Sequence, residues 1–454
     1  MNLSKVLVAN RGEIALRIIR SLKETGICAA TIYSEADQSC LHVQMADESY
    51  EIGAGVASKS YLAAPKIVDL AKRIGADAIH PGYGFLAENA EFASLCEEAG
   101  LVFIGPTPEN MRLAGDKRAA RMTVKNLGVP VVPGSDDALL TLEEAKGVAR
   151  QITYPLMLKA SAGGGGRGIR VLCDEQVLEE EFDSAAAEAG AAFGDSTLYL
   201  EKLIQKPRHV EVQILGDGFG DAIHLFERNC SVQRRHQKLI EEAPSPGLAD
   251  SVRCRIHEAA LTVAKGIRYR NAGTIEFLLD ENDNFYFMEL NARIQVEHPV
   301  TEMITGVDLI KSQLSVASGQ GIGVGQQEIY QFGYALECRI NAEDSDMEFA
   351  PDPGKVEEYH APGGFGVRFD THLYPGYVIP IYYDSLLGKL IAWGRTRERA
   401  LKTMGRALQE LKIEPIKTTR TFLQEVIQHK EFVEGTYRLD FLEKLLERRN
   451  GEAE

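Results

Sequence analysis

Thr274-Ile-Glu-Phe-Leu-Leu-Asp280, followed by Asn284-Phe-Tyr-Phe-Met-Glu-Leu-Asn-Ala-Arg-Ile-Gln-Val-Glu297, is the stretch on which the reading of the fold depends. Both arms are rich in aromatic and β-branched residues, and polar turn formers separate them, the pattern of an antiparallel hairpin. With Asn282-Asp283 as a two-residue turn, Glu281 pairs with Asn284 and Glu276 falls opposite Glu289. Directly opposed like charges destabilise a strand pair. The two carboxylates therefore call for a shared cation, and Mg²⁺ (or Mn²⁺) is the hard, oxygen-seeking choice. Asn291, two residues beyond Glu289, points to the same face. The second arm then alternates without a break, with Glu289, Asn291, Arg293, Gln295 and Glu297 between Leu290, Ala292, Ile294 and Val296. A solvated strand face is the ordinary explanation of such alternation. This face instead carries metal-ligand types, then a guanidinium, an amide and a carboxylate. Arg293 suits a bidentate hold on a planar oxyanion, and Glu297 lies close enough to serve as a base. One continuous strand is expected from Asn284 to Glu297.

A second hairpin lies upstream. His209 and Glu211 share one face of a strand, Gly216-Asp217-Gly218 makes the turn, and Ala222–Asn229 returns. The basic run Arg234-Arg-His-Gln-Lys238 follows, where an acidic chain would collect an anion. Further upstream is Ala162-Gly-Gly-Gly-Gly-Arg-Gly168. Glycines let backbone N–H groups approach phosphate oxygens closely. The Gly-Lys-Ser/Thr ending of a Walker loop is missing. Strand-like Pro155–Ala160 and Ile169–Cys173 flank the loop, so it tips a hairpin that can close over a nucleotide as a lid. Lys159 stands on the incoming strand. Asp116 is the expected N-cap of a helix over Lys117–Leu127. Lys117 in that first turn opposes the helix dipole, unless it and the helix N-terminus share an anion.

The first third reads as alternating strands (Val6–Ala9, Ile27–Tyr33, Ala76–His80, Leu101–Ile104) and helices (Glu13–Thr25, closed by Gly26), hence a parallel doubly wound sheet. Asp37 invites a dinucleotide reading as a ribose acid, but the first turn lacks G-x-G-x-x-G. The region 331–393 is Gly/Pro-rich β structure, and two amphipathic helices near Arg397–Leu411 and Thr419–His429 follow. The 454 residues suggest about three domains at ~150 residues each, divided as 1–113, 114–330 (with a lid about 132–203) and 331–446. Lys and Arg number 50 against 66 Asp and Glu, a net charge of −16. That balance argues against nucleic acid and anionic membrane as partners. No apolar run is long enough to span a bilayer, and no signal peptide is visible. The seven scattered cysteines fit a reducing cytoplasm. Most should be buried, with Cys230 the candidate reactive thiol. No zinc spacing and no nucleophile elbow occur.

The residues together resemble biotin carboxylase, an ATP-grasp enzyme, over essentially the whole chain. The matching stretches are Ala9-Asn-Arg-Gly-Glu-Ile-Ala, His80-Pro-Gly-Tyr-Gly-Phe-Leu, Gly115-Asp-Lys, Lys159-Ala with the glycine loop, Glu201-Lys, Pro207-Arg-His-Val-Glu, Cys230-Ser-Val-Gln-Arg-Arg-His-Gln-Lys, Arg293-Ile-Gln-Val-Glu-His and Glu337-Cys-Arg-Ile-Asn-Ala-Glu. The resemblance implies an α/β and α+β fold of ATP-grasp architecture, with an N-terminal Rossmann-like domain, a mobile glycine-rich lid and a β-rich C-terminal domain. It places ATP against Lys117, Lys159, Gly164, Gly165, Gly166, Glu201, Lys202, His209, Gln233, His236, Lys238, Glu276 and Glu289. It places the metal on Glu276, Glu289 and Asn291, and bicarbonate against Arg293, Gln295 and Val296. Glu297 becomes the general base, with Arg293, Lys238 and Arg339 also catalytic. Arg339 faces the biotin ureido group, and Tyr83 lies near it. Arg20, Glu24, Phe365 and Arg368 match the family's homodimer interface.

The implied reaction starts with bicarbonate, deprotonated by Glu297, attacking the γ-phosphate of ATP to give carboxyphosphate. That species breaks to CO2 and phosphate, and the phosphate takes the biotin N1 proton. Arg339 stabilises the resulting anion, which captures CO2. Two departures from the family pattern stand out: Ala292 where Thr is usual, and Asn229 where Asp is usual. No Ala-Met-Lys-Met-like attachment sequence occurs, so a separate biotin carboxyl carrier protein and a separate carboxyltransferase subunit are expected. The competing readings are another ATP-grasp ligase, making carbamoyl phosphate or an amide bond, and a nucleotide-binding regulatory subunit without turnover. The final acyl acceptor is not legible in these residues.

Overall fold

The computed structural model describes residues 3–160 and 169–451. Its N-terminal part is a five-stranded sheet in the order Glu48–Gly53, Cys28–Ser34, Lys5–Val8, Ala78–His80, Val102–Phe103, with every neighbouring pair parallel. This is the doubly wound arrangement that strand–helix alternation implies. The helix Gly12–Glu24 follows the first strand, and Gly26 takes the left-handed conformation just past its end (φ +73°). Asp37 is no ribose acid in waiting. Its buried carboxylate holds the Arg11 guanidinium at 2.7 and 2.8 Å and accepts from the Tyr61 hydroxyl at 2.6 Å.

The centre of the molecule is an eight-stranded antiparallel sheet. In spatial order its strands are Phe285–Asn291, Arg270–Leu279, Arg208–Asp217, Ala222–Arg234, Gln237–Ala243, Tyr334–Asn341, Leu386–Gly394 and Val367–Thr371. The pairing of Gln237–Ala243 with Tyr334–Asn341 carries the ladder straight across the sequence boundary expected near 330. Helix Asp250–Gly266 packs on the strands around Arg208–Arg234, and helices Arg397–Glu410 and Arg420–Gln428 pack near the Leu386–Gly394 end. A separate three-stranded sheet of Ile169–Leu172, Leu156–Ala160 and Leu198–Lys202 has its own apolar core with helices Leu142–Ile152 and Glu175–Phe193. The two strands flanking the glycine loop pair antiparallel. The loop itself, with Gly164, Gly165 and Gly166, lies outside the described residues. No helix among the described residues is long and apolar enough to cross a membrane.

The decisive hairpin differs from expectation in two places that cancel. The turn is one residue longer, with Asp280 N–H donating to the Asn284 carbonyl at 2.9 Å and Asp283 left-handed at φ +58°. A bulge between Glu276 and Phe277 then restores the register, so Glu276 does face Glu289 and Thr274 faces Asn291. The expected strand to Glu297 is corrected. The strand stops at Asn291, and residues 292–297 run as irregular backbone into helix His298–Thr305, with Glu297 at its N-cap position. Pro299 in the first turn explains the change, since its ring favours a helix start and supplies no ladder N–H.

Candidate active site

One cleft of about 1910 Å³ lies between the central sheet, the three-stranded sheet and the N-terminal part. It is lined by Tyr83, Lys117, Lys159, Glu201, Lys202, His209, Gln233, His236, Lys238, Glu276, Glu289, Asn291, Arg293, Gln295, Val296, Glu297 and Arg339. Every described residue assigned a substrate or metal role from the sequence therefore meets in one space.

At its floor, the Lys238 ammonium lies 2.5 Å from Glu211, 3.0 Å from Glu276 and 2.6 Å from Glu297. All three glutamates are buried. Burial alone would push each carboxyl up, but neighbouring cations and hydrogen-bond donors reverse this. Lys238 with Arg228 holds Glu211 below its usual range, Lys238 with His209 does so for Glu276, and Lys238 with Arg339 for Glu297. For Lys238, burial opposes its charge, yet the three glutamates drive its pKa well up. Glu297 is thus held ionised, the state a base must start from. Arg339 joins Glu297 at 2.9 Å to Glu241 at 2.5 Å.

Arg228, absent from the sequence-based assignments, is fully buried and organises this floor. Its guanidinium donates to Glu211, Gln213, Thr274, Thr301 and the Gln295 side-chain oxygen. Gln295 in turn donates to Glu276 at 2.9 Å. Glu88 was also missed. It accepts from Arg293 at 2.8 Å and from the Ala292 N–H at 3.2 Å. An Arg beside Glu227 in the middle of a strand was the available signal for Arg228, since charges at such positions are buried only when paired.

Glu276, Glu289 and Asn291 offer oxygen donors on facing strands, a set that suits Mg²⁺ or Mn²⁺. Glu289 is one-third exposed to the cleft and lies 3.3 Å from Lys117. The Asn291 amide donates to Glu276 at 2.8 Å. A tighter group, His209, Glu211 and Glu276, has metal-ligand spacing, but Lys238 and Arg228 already supply its positive charge. On the three-stranded sheet side of the cleft, Lys159 ion-pairs Glu201. Asp116 caps the helix Lys117–Asn126 through the Ala119 N–H at 2.9 Å. The Gln233 amide nitrogen donates to His209 Nδ1 at 2.7 Å. The run 234–238 is split: Arg235, His236 and Gln237 are exposed, whereas Arg234 lies over the Phe349 ring and Lys238 is the floor cation.

One expectation is revised, and the two departures from the family pattern find their places. Cys230 is fully buried, and burial pushes its thiol well up, so it is not a reactive site. Ala292 is buried, as its apolar-face position implied. Asn229 places no charge near the basic run. Its oxygen accepts the Ser231 N–H at 2.9 Å.

Family models match along the chain in order: biotin carboxylase, N-terminal domain, at residues 2–111; carbamoyl-phosphate synthase L chain, ATP binding domain, at 116–324; and biotin carboxylase C-terminal domain at 337–444. The chain belongs to the biotin carboxylase family. It is 51% identical to the biotin carboxylase of Nostoc sp. over 98% of this chain and 100% of that one. A biotin carboxylase–βγ-ATP complex from Campylobacter jejuni superposes with a TM-score of 0.93 at 49% identity, covering 98% of this chain and 99% of that one. The biotin carboxylase domain dimer of Hydrogenobacter thermophilus 2-oxoglutarate carboxylase, in complex with MgADP, ADP and bicarbonate, gives 0.92 at 51% identity, with 98% of each chain covered. The fold is that of these ATP-grasp enzymes.

Proposed function

We propose that this cleft carboxylates biotin with ATP and bicarbonate, as the first half-reaction of a biotin-dependent carboxylase. The observation that carries the reading is Glu297 held between Lys238 and Arg339, at the end of a segment that also presents Arg293 and Gln295. ATP lies along Lys117, Lys159, Glu201, His209 and Lys238, with the lid covering its phosphates. Glu276, Glu289 and Asn291 would hold Mg²⁺ or Mn²⁺, which would neutralise phosphate charge. Arg293 and Gln295 orient bicarbonate, and Glu297 takes its proton. The freed oxygen attacks the γ-phosphate, the β–γ bridging P–O bond breaks and ADP leaves, with Lys238 beside the developing charge. The carboxyphosphate breaks to CO2 and phosphate within the closed cleft, where water is excluded. The phosphate then takes the biotin N1 proton, and Arg339 stabilises the ureido anion that captures CO2.

The same reading divides the chain into 1–113, 114–330 and 331–446. Biotin arrives on a separate carrier protein and a separate carboxyltransferase takes it onward, while the chain itself works as a cytoplasmic homodimer. The test is bicarbonate-dependent ATP hydrolysis with and without free biotin. Stimulation by biotin is expected, and bicarbonate-dependent hydrolysis indifferent to biotin would favour another ATP-grasp ligase.

A further inference from the structure

Beyond Asn291, residues 292–297 leave the ladder, and side chains satisfy those of their backbone groups that the following helix turn does not. Glu88 takes the Ala292 N–H. The Val296 carbonyl, one residue before Glu297, accepts from the Lys389 ammonium at 3.1 Å. Lys389 is the one charge in the apolar run Leu386–Trp393 and is 0% exposed. Its ammonium also lies 3.1 Å from Glu13, an ion pair not aligned as a hydrogen bond. Glu13 sits on helix Gly12–Glu24 and accepts from the Tyr83 hydroxyl. Across the sheet, Lys389 stands opposite Arg339 on one side and Asp370 on the other. Asp370 is already paired with Arg368 at 2.6 Å.

We propose that Lys389 is a positioning residue for bicarbonate activation. It anchors the Val296 carbonyl, and with it the 292–297 segment, to the C-terminal part of the sheet, while Glu13 neutralises its charge. The inference rests on the reading of that segment as the bicarbonate site. A buried ammonium is retained in an apolar strand only where it is paired and bonded. Here both partners belong to distant segments, so the ammonium joins the N-terminal helix, the C-terminal strand and the approach to Glu297. Lys389 touches no substrate. It acts through where it holds Val296.

The test is steady-state kinetics with ATP and bicarbonate varied separately, together with melting temperature, on the wild-type chain, Lys389→Met and Glu13→Gln/Lys389→Met. Lys389→Met strands Glu13 as an unpaired buried carboxylate, so its melting temperature should fall. The double variant removes both charges and should recover much of that loss. The bicarbonate KM should rise about tenfold or more in both variants, the scale of one charge-assisted hydrogen bond, while the ATP KM moves less than about twofold. A double variant with recovered melting temperature and wild-type bicarbonate KM would overturn the proposal, because Lys389 would then serve folding alone. Equal rises in both KM values would overturn it as well. A wild-type chain without biotin-stimulated turnover defeats the underlying functional reading. A wild-type chain that turns over beside variants of unchanged bicarbonate KM defeats only the anchor.

Discussion

Lys238 carries one positive charge among three buried glutamates, and Arg339 bridges one of these to a fourth, Glu241. Behind it, Glu337 faces Glu241 across the strand pair, fully buried, with neither oxygen hydrogen-bonded. Burial, with Glu241 adding to it, raises the Glu337 carboxyl well above its usual range. Burial likewise raises Glu241 to about 7, against the partial relief from Arg339. The folded chain therefore keeps a proton that the unfolded chain has lost. That contribution to stability is full below the ordinary value of 4.5 and disappears as pH rises through about 7. Glu241→Gln should flatten the fall of melting temperature over this interval, and parallel curves for variant and wild type would contradict the assignment. The residues on the cleft face of 289–297 were legible because metal-ligand types alternated with apolar ones. Glu88 and Glu241 were not, because each acts through contacts that only the tertiary fold creates. Lys389 had a readable signal, a single charge in an apolar strand, that was passed over.

Among the elements, the facing of Glu276 and Glu289 was right for an incomplete reason. Turn length was misjudged by one residue and the bulge took up that residue, a device that re-aims side chains next to sites. Alternation beyond Asn291 was read as strand. It reflects apolar Ala292 and Ile294 buried in the core while the polar side chains turn to the cleft. The helix Lys117–Asn126 was read correctly from its cap. Asp116→Ala should remove the bond to the Ala119 N–H and lower stability by ~1 kcal/mol. The check is a lower urea midpoint at constant slope, largely recovered in Asp116→Ser, and an unmoved midpoint would contradict the capping role.

On the scale of the whole molecule, the N-terminal parallel sheet was plain from strand–helix alternation, whereas the continuity of one sheet from residue 208 to residue 394 was not. Pairings of strands nearly a hundred residues apart leave no local pattern. The sheet brings Arg339 and Lys389 beside the 292–297 segment. Its far end exposes aromatic surface, with Phe365 90% and Phe332 58% exposed against Trp393. On the homodimer reading, this patch is the proposed association surface. Sedimentation should give a dimer for the wild-type chain and a monomer for Phe365→Glu; a wild-type monomer or an unchanged variant would contradict that assignment. In the proposed reaction, Glu297 activates bicarbonate for transfer to biotin. Its most direct measurement is ATP-dependent passage of label from bicarbonate into biotin, comparing wild type with Glu297→Gln. Labelled carboxybiotin is expected from the wild type and at least ~100-fold slower labelling in the variant, the scale of a lost general base. Labelling at the wild-type rate in Glu297→Gln would contradict it.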